Sequence, residues 1–270
     1  MELIVNIFLN IRLFIYLKLN PSKFKDYKSN KFKQGYELTF MDEFNDAYLD
    51  TKKWNTAPYS GEKYHPNNLN VFYTQNGGYK LSGGCIHLQA SNTPTLYDNI
   101  IFPYSICLLD NSKSFQQQYG YFEIRCKVPK SLASWPAFWL VSKHSWPPEI
   151  DIFEFNTSKY KDKAFASNVH WGMDKTTNKT FNKPIKHNVY KASEYFGVYA
   201  VKWTDKYIKF YYNDLLIRKV TKNVDQFKYP MHLIVNNGIT LGKDSKIDKA
   251  NFPNYFIVDY VRAYKILYEV

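Results

Sequence analysis

The chain has 270 residues, enough for one large all-β domain or two small ones with a buried core. Lys and Arg outnumber Asp and Glu by 36 to 24, giving a formal net charge of +12, and aromatic residues make up 19% of the sequence. Charge of this kind bears on partners and not on fold; because the lysines are dispersed, with no basic helix or RNA-binding aromatic signature, nucleic acid is set aside as a partner.

Residues 3–19 (LIVNIFLNIRLFIYLKL) are mostly apolar. Only Glu2 precedes them and Arg12 interrupts them, which is poor patterning for a secretory signal. A signal or anchor, a helix lying on a membrane surface, and a strand-forming extension remain open, so membrane association through 3–19 stands as an expectation. Residues 20–35 (NPSKFKDYKSNKFKQG) are polar and basic and read as a linker, placing a boundary between 1–35 and a domain over 36–270.

From Tyr36 onward, short apolar or alternating runs are separated by Gly, Asn, Asp and Pro clusters: YELTF, YKLSGGCIHLQA, YGYFEIRCKVP, PAFWLVS, EIDIFEF, FASNVHW, VYAVKWT, YIKFYYN, MHLIVNN and YFIVDYVRAYK. Many short strands at such spacing indicate an all-β sandwich or barrel. In YGYFEIRCKV, Phe122, Ile124 and Cys126 alternate with Tyr121, Glu123 and Arg125, as on a strand with one core face and one solvated face. VKWTDKYIKFYYND reads as a hairpin turning near Asp205. Cys85, Cys107 and Cys126 cannot all pair within one chain and have no zinc-type spacing; buried free thiols are the simplest reading.

The most informative segment is Trp146-Pro147-Pro148-Glu149-Ile150-Asp151-Ile152-Phe153-Glu154-Phe155. On a strand, Glu149 and Asp151 share a face while Ile150 and Ile152 point to the core. Strict alternation sends Glu154 to the opposite face. One β-bulge after Asp151 absorbs a residue and returns Glu154 to the face of Glu149. The two glutamates then lie four strand positions apart, roughly 13 Å between Cα atoms, and inclined side chains can close that to the ~5–5.5 Å carboxyl separation of a retaining glycosidase. Three carboxyls this close cannot all ionise cheaply, so at least one pKa rises, as a general acid at neutral pH requires. The bland alternative is a solvated acidic face, but the strand's apolar residues and the Pro-Pro pair before it argue for a central, sharply begun strand.

Here the sequence resembles glycoside hydrolase family 16, whose bulged signature E-[IL]-D-x-x-E stands as Glu149-Ile150-Asp151-Ile152-Phe153-Glu154. Other family-like pieces follow in order: Phe40–Phe44, Leu49–Trp54, Tyr119–Arg125, Trp135–Leu140, Val169–Gly172 and Val258–Arg262, so that the resemblance spans about residues 36–266. It implies a concanavalin-like jelly-roll β-sandwich of two antiparallel sheets, the concave one forming a polysaccharide cleft. Carried onto matching positions, Glu149 is the nucleophile, Glu154 the acid/base, and Asp151 the modulator of both, with His170 on a neighbouring strand near the acid/base. Trp135, Trp139 and Trp146 are candidate sugar-stacking residues, each with hydrophobic packing as the alternative, and Asn70 a candidate polar cleft residue. Catalysis needs no cofactor; an optional structural calcium would use Glu43 and Asp259 with backbone carbonyls.

The implied activity is endo-acting retaining hydrolysis of a β-glycan, foremost a β-1,3- or β-1,3-1,4-glucan, by a monomer at the cell surface or outside the cell. A hydrolase of galactans such as agarose or carrageenan, a transglycosylase, and a lectin-like domain without catalysis are the alternatives. Three crowded carboxyls argue against the last, since binding alone does not need them.

Overall fold

The alternating runs from Tyr36 onward become strands, and the apolar segment before them becomes a helix. The computed structural model describes residues 2–65, 68–74, 77–174, 179–240 and 251–268. Helix α1 (Glu2–Leu19) precedes β1 (Tyr36–Asp42), β2 (Tyr64–His65), β3 (Asn68–Tyr73), β4 (Tyr79–Ser82), β5 (Cys85–Ser91), β6 (Thr95–Tyr97) and β7 (Ile100–Phe102). Then come β8 (Tyr104–Ile106), β9 (Leu108–Asp110), β10 (Gly120–Lys127), β11 (Ser134–Ser142), β12 (Glu149–Glu154), the short α2 (Thr157–Tyr160), β13 (Ala164–Asp174) and β14 (Lys179–Asn182). The chain closes with β15 (Ile185–Asn188), β16 (Gly197–Trp203), β17 (Ile208–Tyr212), β18 (Leu215–Val220), β19 (Met231–Ile239) and β20 (Asn254–Ile266).

Two sheets form the sandwich. One has the order β18-β17-β16-β10-β20-β5-β8-β3-β2, with β1 also on β20 and β4 on β5; the other runs β14-β13-β12-β11-β19-β9, with β15 on β13. Pairing is antiparallel as expected from the sequence, except that β3 runs parallel to β8. The fold is an all-β jelly roll. Phe122, Ile124 and Cys126 from one sheet meet Phe138, Leu140, Ile150 and Phe153 from the other in a single core. β16 and β17 form the expected hairpin, closed by Thr204 N–H donating to Tyr207 O (2.9 Å). All three cysteines are buried and free.

The first 35 residues depart from expectation. Residues 20–35 are no free linker: they lie against the rear of the larger sheet. Phe24 enters the core and stacks on Tyr212, Tyr27 N–H donates to Phe196 O, and the Ser29 hydroxyl reaches both oxygens of Glu123 (2.9 and 2.8 Å). This covering corrects the expectation of a solvated face on β10, since Tyr121, Glu123 and Arg125 are buried too. Arg125 donates to the backbone oxygens of Asp26 and Tyr27, which satisfies a guanidinium otherwise stranded beneath the segment.

The residues named for a structural calcium lie in the same region. Arg262 grips Glu43 through two hydrogen bonds (2.7 and 2.8 Å), and Arg125 holds Asp259 at 2.7 Å. Charge-assisted pairs of this geometry compete with a cation for these carboxylates. Glu43 and Asp259 are arginine partners that fasten the rear of the sheet, and a calcium ion there would have to share them with Arg262 and Arg125.

Candidate active site

Cross-strand register determines which side chains share the outer face of the smaller sheet, because directly paired residues point the same way. On β12, Glu149 pairs with Val141, Asp151 with Trp139 and Glu154 with Ala137 of β11. Six residues of β12 thus oppose five of β11, the extra one being Ile152. The bulge lies where the sequence requires it. Ile152 and Phe153 are consecutive yet both buried in the core, and Glu154 returns to the face of Glu149 and Asp151.

On the other side of β12, Glu149 pairs with His170 and Asp151 with Asn168 of β13. One ligand-type atom from each of Glu149, Asp151 and His170 lies within 4.8 Å of the others. His170 Nε2 stands 3.2 Å from Asp151 Oδ2 and 3.6 Å from Glu149 Oε1. His170 therefore belongs to the nucleophile end of the strand, a correction to its expected place beside Glu154.

The tryptophans divide by role. Trp146, on the turn before β12 and 52% exposed, donates from Nε1 to Glu149 Oε2 (2.9 Å). Trp135, at the start of β11 and 39% exposed, lies near enough to Glu154 to favour its charged form. Glu149 is thus oriented by the indole of Trp146, and both Trp146 and Trp135 are exposed beside the acidic strand. Trp139 is half-buried between them and donates to Asn236 Oδ1 of β19 (2.9 Å), so its indole edge is tied down. Beside Glu149 an open groove of ≈ 480 Å³ continues along Trp146, Pro148, Gly172, Met173 and Tyr229, room for a sugar unit. Asn70 is on β3, but its side chain lies outside the described residues.

Burial sets the electrostatics. Desolvation, then the charge of Asp151, pushes Glu149 well above the usual carboxylate range, against the pull of His170 and Trp146. Asp151 is likewise raised by burial and by the charge of Glu154. Two carboxyls in such contact retain a proton between them, which leaves one of the pair anionic. Glu154 is raised to about 7, first by burial and then by the charge of Glu149. At neutral pH it is substantially protonated.

Two partners of His170 escaped sequence reasoning. Asn168 Oδ1 accepts the backbone N–H groups of Val169 (3.0 Å) and Lys183 (3.1 Å), which fixes the amide so that Nδ2 faces His170 Nε2 at 2.9 Å. Thr180 Oγ1 lies 3.2 Å from His170 Nδ1. Neutral imidazole satisfies both contacts, accepting from Asn168 and donating to Thr180. Burial also favours the neutral ring, but Asp151 and Glu149 outweigh it and raise the pKa of His170. Asn168 thus opposes the protonation of His170 that Asp151 and Glu149 favour. Thr180 reaches His170 only through the pairing of β13 with β14, whereas Asn168 stands two residues before His170 on β13, a spacing that puts both on one face.

With this geometry established, similarity to known proteins is informative. The model of glycosyl hydrolases family 16 matches residues 67–261. The β-glucanase of Rhodothermus marinus is 29% identical over 259 residues, covering 85% of either chain. Endo-1,3-1,4-β-glycanase ExsH of Rhizobium meliloti (strain 1021) is 28% identical over 84% of this chain, which spans about half (51%) of that relative. Keratan-sulfate endo-1,4-β-galactosidase of Sphingobacterium multivorum is 27% identical over 86% of this chain and 56% of its own length. Among solved structures, the non-specific endo-β-1,3(4)-glucanase SCLam superposes with a TM-score of 0.76 over 90% of this chain and 96% of its own, and at 24% identity that likeness speaks for the fold. The bulged acidic strand, its sandwich and the family match over most of the sequence agree: the chain belongs to glycoside hydrolase family 16.

Proposed function

We propose that this protein is an endo-acting retaining glycoside hydrolase that cleaves internal β-1,3- or β-1,3-1,4-glucosidic bonds by double displacement. The observation that carries the reading is the bulge at Ile152, which sets Glu149, Asp151 and Glu154 on one face with Glu154 held as an acid near neutral pH. Two relatives named as a β-glucanase and an endo-1,3-1,4-β-glycanase support the substrate class.

In the first step a carboxylate oxygen of Glu149 attacks the anomeric carbon while the glycosidic C–O bond breaks. Glu154 gives its proton to the departing oxygen. The attack uses the form in which the retained proton sits on Asp151 and Glu149 is anionic. Esterification then removes the Glu149 charge, one of the two causes that keep Glu154 protonated. Its pKa falls, and it becomes the base that takes a proton from water as that water attacks the ester and frees Glu149. Trp146 holds Glu149 at its working angle.

The test is a panel of laminarin, mixed-linkage β-glucan, agarose, carrageenan and keratan sulfate, incubated with wild type and with Glu149→Gln. New reducing ends from a β-glucan, reduced at least about 10³-fold by the substitution, are expected. The same activity in Glu149→Gln would remove this residue as nucleophile, and turnover confined to a galactan would move the substrate class.

A further inference from the structure

Helix α1 is fastened to the sandwich by polar side chains and turns an apolar face outward. Its inner stripe consists of Asn6, Leu9, Leu13 and Leu17. Asn6 makes a reciprocal pair with the backbone of Lys219 at the free edge of β18, donating to its oxygen (3.0 Å) and accepting from its N–H (2.8 Å). Glu2 accepts the N–H groups of Thr221 and Lys222 and the Lys183 ammonium (2.7 Å). Asn10 Oδ1 meets His187 Nδ1 on β15 at 2.7 Å. Polar residues at positions 2, 6 and 10 thus recur once per turn on the protein side, closing an edge strand that would otherwise be open to pairing.

The opposite face is Ile4, Ile7, Phe8, Ile11, Phe14 and Ile15, every one exposed, Ile4 by 72% and Phe8 by 66%. Arg12, Lys18, Lys23 and Lys25 are exposed beside it or just beyond it, on a chain of net charge +12. We propose that this face lies on an anionic lipid bilayer, with the aliphatic and phenyl groups in the acyl boundary and the cations at the headgroups. The sandwich takes the place of the polar face that an interfacial helix normally turns to water. Among the described residues no helix is long and apolar enough to cross a membrane, so α1 rests in the surface plane.

A second copy of the chain fits this face less well. Eighteen residues make a helix about 27 Å long and 10–12 Å across, a footprint of roughly 300 Å² against the ~800 Å² per partner of a stable interface. Two molecules at +12 would also repel each other across it.

Sedimentation of the full chain with phosphatidylcholine vesicles, with and without 30% phosphatidylglycerol, tests the proposal alongside light scattering for oligomeric state. Wild type should bind the anionic vesicles more tightly and remain monomeric without lipid. Ile4→Asp/Ile11→Asp should weaken binding more than about tenfold with helix content and activity on soluble polysaccharide unchanged. Arg12→Gln/Lys18→Gln should weaken it roughly fivefold per cation. Failure of the folded wild type to bind, equal binding by the aspartate variant, or a dimer abolished by it would each overturn the proposal. None of these outcomes depends on which sugar the active site cleaves.

Discussion

Glu154 carries a folding penalty as well as its proposed catalytic role. Its pKa rises from 4.5 to about 7, so the folded chain keeps a proton that the unfolded chain releases. Below pH 4.5 both states hold the proton and no penalty exists. Between 4.5 and about 7 stability falls as pH rises, and above 7 the penalty is complete, about 3 kcal/mol at most. Glu154→Gln should therefore unfold at higher urea than wild type at pH 8 by up to that amount, and at the same urea at pH 4. Equal midpoints at both pH values would show that the carboxyl is not desolvated as described. Activity limited by the acid form should also decline above about pH 7, since Glu154 then lacks the proton it must donate. At His170, removing the opposing amide with Asn168→Ala should raise the imidazole pKa, read by NMR titration of the ring protons. A pKa unchanged in that variant would mean the amide does not set the charge of the ring.

On β12 the bulge is the element that sets Glu154 on the face of Glu149. Deleting Ile152 removes the bulge and leaves Glu149-Ile150-Asp151-Phe153-Glu154 in strict alternation, so all three acids should keep one face and Phe153 should stay in the core. The deletion should therefore retain measurable activity, while losing the buried Ile152 side chain should cost about 2–5 kcal/mol of stability. Ile152→Val keeps the residue count and should cost about 0.5–1.5 kcal/mol with activity retained. A folded deletion variant that no longer cleaves polysaccharide would show that a shared face is not enough to position the acid. This element was legible from residues 146–155 alone, because two apolar neighbours, Ile152 and Phe153, in an otherwise alternating run leave a bulge as the natural resolution. Residues 20–35 were not legible: their lysines dominate the composition, while the contacts that matter belong to Phe24, Tyr27 and Ser29 and depend on a sheet assembled from distant strands.

Across the molecule, the smaller sheet supplies the chemistry and the N-terminal 35 residues close the rear and one edge of the larger one. Strand identity and the order of the family-like motifs could be read from the sequence because each depends on local alternation. The pairing of Glu43 with Arg262 and Asp259 with Arg125 could not, since β1, β10 and β20 become neighbours only in the finished sheet. The most direct measurement of the central claim is the anomeric configuration of the first reducing ends, followed by ¹H NMR as a β-glucan is cleaved. Double displacement through Glu149 and Glu154 predicts the β-anomer first, with the α-anomer appearing only by mutarotation. An initial α-anomer would require direct attack by water and would contradict the assignment of Glu149 as nucleophile.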